Sequence, residues 1–244
     1  MTVPSNPMPL DRRGFLAHAL AAPVFPAASA VGADRPGQAG RLSLAEVLAG
    51  AHALIDRHLA GGQHPDDEAW VHAATALFAQ LGELPPDPFG DMTAPERAFL
   101  QQHGWTFRRV DSVPADRRRP AVITHQIHIP PGGRIPLHDH RGMFGAIVGA
   151  AGECEIRSFD LVEGDRDTPT VALREMDRTW LGAGRFALLT RSRDNVHEFR
   201  AGKAGARLLD LFVWLDEDAR SHDLEWIDDP STAPADRRYR ARWS

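Results

Sequence analysis

The chain has 244 residues, 43% hydrophobic and 25% charged, with a formal net charge of −5. That balance excludes a fibrous or disordered chain, and it leaves no basic footprint for nucleic acid. A single cysteine, Cys154, excludes an internal disulfide framework.

In chain order, the first element is "DRRGFLAHALAAPVFPAASA", where Arg12 and Arg13 precede a modestly apolar run that ends in Ala28-Ser29-Ala30. Arg12, Arg13, Phe15 and Leu16 match an R-R-x-F-L pattern, so residues 1–30 resemble a twin-arginine export signal with a small-x-small cleavage site. That resemblance implies a periplasmic protein handed to the twin-arginine export machinery. His18, Pro23 and Pro26 interrupt the run, which falls short of the roughly 20 apolar residues a span needs, so no stable membrane anchor is expected. A chain without disulfides loses nothing by folding before it reaches the oxidising side. Residues 31–40 read as a linker by composition.

Residues 41–104 carry helical signals. Ser43 to Glu46 form a capping box, followed by Leu44, Val47, Leu48, Ala51, Leu54 and Ile55 at helical spacing. A second helix starts at Asp66/Asp67, with Trp70, Ala73, Ala74, Leu77 and Phe78 on one stripe. A third follows Thr93-Ala94-Pro95-Glu96, another capping box with Pro in the first turn. His52, His58, His64, His72 and His103 have no partner at ligand spacing and read as surface or boundary residues.

From Trp105 the period changes to two, in "AVITHQIHI", "AIVGAAGECEIRSFD", "TVALREM", "RFALLT" and "ARLLDLFVW". Turn signals separate these runs, which predicts an all-β sandwich or small barrel over residues 105–230. Residues 231–244 are rich in charge and are expected as a surface tail.

"IPLHDHRGMFG" places His138 and His140 two apart on a predicted strand, so both rings face one side and can converge on one ion. Gly132, five residues, then His138-x-His140 forms the first half of the cupin metal motif. The carboxylate that usually follows is absent, since Phe144 and Gly145 hold those positions. His197 in "RSRDNVHEFRA" is the candidate third ligand, although Ser192 and Asp194 stand where that second motif has Pro and Gly.

"IPLHDHRGMFGAIVGAAGECEIRSFD" resembles the signature of the cysteamine dioxygenase and plant cysteine oxidase family. "NVHEF" is similar to its N-I-H-x-F segment, and "LLDLF" with "DEDAR" is similar to its C-terminal elements. The resemblance covers roughly residues 70 to 228. It implies a mainly β cupin barrel (a double-stranded β-helix or jelly roll) with an N-terminal helical extension. It also implies one Fe(II) held by His138, His140 and His197, with O2 as cosubstrate. Arg141 replaces the family's Pro, and the stretch from Asp210 to Asp216 is short and lacks a Pro-Pro-Tyr element, whose space Trp214 is placed to fill. Cys154 and Tyr239 are the only candidates for a Cys–Tyr cross-link, and none is expected.

Three neutral imidazoles leave a bound Fe(II) its full charge and open positions, which favours an anionic thiolate. Transfer of both oxygen atoms to that sulfur gives a sulfinic acid. Asp210, an acid in an apolar strand, must be paired or functional; the match to the family's L-D step places it near the iron, to orient a histidine or read a substrate amine. A structural salt bridge is its other reading. Met143 and Phe144 are expected at the pocket wall, with core packing as their other reading, and Cys154 as a buried bystander. Arg117-Arg118-Arg119 reads as a solvated turn. His125 and His128, three apart, face opposite sides of a strand. The expected function is therefore that of a monomeric periplasmic thiol dioxygenase acting on a small aminothiol or an N-terminal cysteine. Its alternatives are a metal- or ligand-binding cupin without catalysis, or a cupin enzyme using another metal.

Overall fold

The computed structural model describes residues 41–59, 67–81, 91–113, 121–165, 167–191, 195–214, 220–232 and 234–244. Residues 1–40, read above as an export signal and a linker, lie outside them, as do His64, Arg117-Arg118-Arg119, Ser192, Asp194 and residues 215–219. Among the described residues no helix is long and apolar enough to cross a membrane.

The capping boxes form where the sequence places them. The Ser43 amide donates to Glu46 Oε2 at 2.7 Å and the Glu46 amide to Ser43 Oγ at 3.3 Å, opening α1 (Leu44–Leu59). α2 spans Asp67–Phe78. Thr93 and Glu96 cap α3 (Ala94–His103), which ends at Gly104 in the left-handed conformation that a glycine adopts without strain.

Among the described residues nine strands follow: β1 (Thr106–Val113), β2 (Ala121–Ile129), β3 (Arg134–Arg141), β4 (Met143–Glu163), β5 (Val171–Leu181), β6 (Phe186–Leu189), β7 (Val196–Trp214), β8 (Arg220–Trp226) and β9 (Arg238–Trp243). β4 and β7 are long, pair along most of their length, and bend from one layer into the other. Their halves at residues 143–152 and 206–214 build one layer with β6, β2 and β1. Their other halves join β5, β9, β8 and β3 in a second layer that closes on itself, in the order β4-β5-β9-β8-β3-β7. The chain is a mainly β barrel with a helical extension, as its resemblance to a cupin implies.

Residues 231–244 differ from the expected surface tail. Arg238–Trp243 is a ring strand paired with both β5 and β8, and Tyr239 and Ala241 are fully buried. "RYRARW" alternates strictly, so its Arg residues point outward while Tyr and Ala point into the ring; the charge masks a period of two.

Three apolar clusters follow from the alternation. Leu209, Leu211 and Val213 of β7, with Phe144, Ala146 and Val148 of β4, face Val47, Ile55, Trp70 and Phe78 of the helices. Leu208 and Phe212 face the other way, into the space between the layers, with Met143, Ile147, Ile156 and Phe199. Leu137, Phe159, Leu173, Val196, Leu224 and Tyr239, one from each ring strand, fill the ring.

Candidate metal centre

His138 and His140 lie on β3, and His197 is the antiparallel partner of His138 on β7. Leu137 and Val196 point into the ring, so the neighbouring histidines point to the space between the layers. Their relative exposures are 9%, 6% and 1%, and the ring centroids lie 4.6–4.8 Å apart in all three pairs. One ligand nitrogen from each lies within 4.8 Å of the others.

The electrostatics suit metal binding. Burial pushes His138 and His140 below the usual histidine range, with the neighbouring His197, His138 and His125 adding to the effect at His140. Both rings are therefore neutral at pH 7, as a ligand must be. His138 Nδ1–H donates to the Pro136 carbonyl at 2.8 Å, which leaves Nε2 as its ligand atom. His140 Nε2 and His197 Nε2 meet at 3.1 Å. Two imidazole nitrogens about 2.1 Å from one ion and at right angles lie about 3 Å apart, so the cluster fits a divalent transition metal.

The position of the missing carboxylate is closed to it. A Cβ at Gly145 would stand 2.0 Å from the Leu211 carbonyl oxygen, so no side chain fits there without a backbone shift. The donor set is three histidines.

Asp210 is buried on the inward row of β7, between Leu208 and Phe212, and Phe212 packs on the His140 ring at 4.3 Å. Burial raises its carboxyl well above the usual range, and its Oδ1 accepts no hydrogen bond. The salt bridge considered for it is therefore not formed among the described residues. His125 is its partner on β2, buried, held near a pKa of about 3 by burial and then by Arg109, with Phe107 against its ring. Thus His125, and not His128, belongs to the inner face.

Met143 lies in the cluster between the layers, whereas Phe144 does not line the site. Phe144 packs edge-on against Trp70 at 5.1 Å, under the helices. Consecutive strand residues point to opposite faces, so the two could not share one wall. Trp214 sits at the margin of the inner cluster, paired with Met143. Cys154 is fully buried and its thiol is pushed up to about 12 by burial. It stands four residues along β4 from Ser158, the partner of His197, hence about 13 Å away. Tyr239 belongs to the ring cluster, so no Cys–Tyr link forms.

Two features escape a reading of the sequence. Ser158 is buried beside His197 and lines a cleft with Asp177, Thr179, Phe186, Ala187 and Leu188, between β5 and β6. Asn195, two residues before His197, accepts the His140 amide on Oδ1 at 2.8 Å, and its Nδ2 donates to the carbonyls of Thr190 and Met143 at 2.8 and 3.3 Å. Its adjacency to His197 is the only hint the sequence holds.

No family model matches the chain, and no curated protein matches it. It is similar to solved structures, among them KdgF from Halomonas sp. (16% identity, 47% of this chain and 83% of that one, TM-score 0.33). Others are the cupin domain of Schizosaccharomyces pombe Cnp3 (12%, 45% and 64%, 0.31) and a recombinant oxalate oxidase in complex with glycolate (18%, 49% and 54%, 0.35). The chain spans less than two thirds of the latter two. Likenesses of this size say nothing about its activity.

Proposed function

We propose that the chain is an iron-dependent thiol dioxygenase acting on a small aminothiol of the cysteamine type or on an N-terminal cysteine. The observation that carries this reading is the three-histidine cluster without a carboxylate, with an unbonded buried acid one row away. His138, His140 and His197 would hold Fe(II). When bound, that ion would supply adjacent binding positions for a thiolate and O2 and let electrons pass from the sulfur to the oxygen. The reaction balances without a further reductant: R–SH and O2 give R–SO2H, with sulfur losing the four electrons that O2 gains.

The residues divide the remaining work. Neutral imidazoles would leave a bound ion its full charge, which would favour an anionic sulfur over a thiol of ordinary pKa. Asp210, which makes no hydrogen bond through Oδ1 and which burial keeps protonated, would release that proton to solvent as it pairs with the substrate ammonium, and would hold the chain of the thiol in one orientation. Met143 and Phe212 keep bulk water from the sulfur. Export to the periplasm is our reading of the Arg12-Arg13 segment, and a monomer is a separate expectation.

The test is O2 uptake by the Fe(II)-loaded protein with cysteamine, cysteine, 3-mercaptopropionate and a Cys-initiated peptide, with product mass measured for each. The expected result is a two-oxygen gain on an amine-bearing thiol, abolished in His197→Ala. Stoichiometric iron without uptake of O2 would leave a metal-binding cupin without catalysis, a reading that the near-complete burial of all three histidines favours.

A further inference from the structure

Asp67 is the first residue of α2, on the helical extension, and it is buried. Its Oδ1 accepts from the Arg191 guanidinium at 2.6 Å, and its Oδ2 accepts from the Arg191 amide at 2.8 Å and from Nε at 3.1 Å. Such a fork, with a backbone bond added, is rigid where a single surface ion pair is not. The residue before Arg191 is Thr190, whose carbonyl accepts from Asn195 Nδ2. The same Asn195 amide accepts the backbone N–H of His140 and donates to the carbonyl of Met143.

One carboxamide therefore ties together β3, the start of β4 and the end of β6, and a carboxylate from the helices holds the last of these. Part-buried amides gain from being bonded, and Asn195 bonds the backbone of the candidate ligand His140, of Met143 at the start of β4 and of Thr190 beyond β6. Among the described residues all three of these bonds are to backbone, so no substrate contact is needed to account for them. The quantity it controls is the 3.1 Å approach of His140 to His197, since it fixes the backbone of the first from the residue two before the second.

We infer that Asn195 and the Asp67–Arg191 fork are positioning residues of the metal centre, which makes the helical extension part of the site's scaffold. This rests on the reading of the three histidines as a metal centre. Groups that orient ligands from behind are typically worth ~10–100-fold in metal affinity.

The experiment titrates the full chain with Co2+, reading the dissociation constant and the visible absorption bands, alongside the melting temperature of the metal-free protein. Wild type is compared with Asn195→Ala, Asp67→Asn and a control, Glu96→Gln. The control breaks a comparably short ion pair, Glu96–Arg108 at 2.6 Å, on the remote α3. Asn195→Ala should weaken Co2+ binding ~10-fold or more and alter the band intensities, and Asp67→Asn should do so more weakly. Glu96→Gln should lower the melting temperature and leave both metal readouts unchanged. Wild-type affinity and spectrum in Asp67→Asn and Asn195→Ala would overturn the inference, as would an equal loss of affinity in Glu96→Gln. Should Asn195→Ala not fold, Asp67→Asn decides. A wild type that binds no Co2+ fails the metal reading itself, and the inference falls with it.

Discussion

Asp210 concentrates the chemistry of the site in one side chain. Burial holds its carboxyl up, so in the metal-free protein it weakens the fold at neutral pH. The sign follows from proton binding: the native state keeps a proton that the unfolded chain loses above about pH 4, so stability falls as pH rises from there. Asp210→Asn should raise urea stability of the metal-free protein at pH 7 by roughly 1–3 kcal/mol and flatten that pH dependence. It should also cut thiol turnover at least ~10-fold with iron content unchanged. Loss of iron instead would mean that Asp210 orients a ligand and does not read the substrate. The residues of this site were legible to different degrees. His138 and His140 declared themselves by spacing, because two rings on alternate strand positions share a face. His197 and Asp210 needed a family pattern. Phe144 was misplaced because strand alternation, applied to residues 143 and 144 together, forbids both from lining one wall.

At the scale of elements, the ring of six strands is held by a buried charge network. Arg157 of β4 donates to Glu175 of β5 at 2.6 Å and to Glu198 of β7 at 2.7 Å, while Tyr239 of β9 donates to Glu175 at 3.2 Å. Burial pushes Glu175 up, but hydrogen bonds from Arg178 and Arg157 outweigh it and hold the carboxyl at about 2. Its contribution is complete above about pH 4.5 and is lost as pH falls from there to about 2, amounting to about 3 kcal/mol. Urea unfolding of Glu175→Gln should show a loss of roughly 3–5 kcal/mol at pH 7, because Arg157 is left under-paired, and a much smaller difference from wild type at pH 3. The helices of this molecule could be read from capping boxes and apolar spacing, since both are local. β9 could not: its partners on β5 and β8 are set by the closed ring, and three arginines conceal two buried residues.

At the scale of the whole molecule, the helical extension and the barrel meet over one face, and the segment proposed as an export signal precedes both in the chain. The lone cysteine is buried, so the fold is indifferent to the redox state of the compartment in which it forms. Replacing Arg12 and Arg13 together by Lys should leave the protein in the cytoplasm with its metal bound, as read by cell fractionation and metal analysis. An unchanged periplasmic yield would remove the twin-arginine reading without touching the site.

The closing strand carries one further consequence. β9 pairs with β5 and β8, strands that precede it by some sixty and some ten residues, so the ring cannot shut until residue 243 has been synthesised. Until then Tyr239 is missing from the ring and the walls that carry His138 and His197 have an open seam. A chain clipped before that point keeps the pairing of His138 with His197 across β3 and β7 and lacks the closed ring behind it. Assembly of the centre therefore waits on a pairing between strands far apart in the chain, at the slow rate that such pairing imposes.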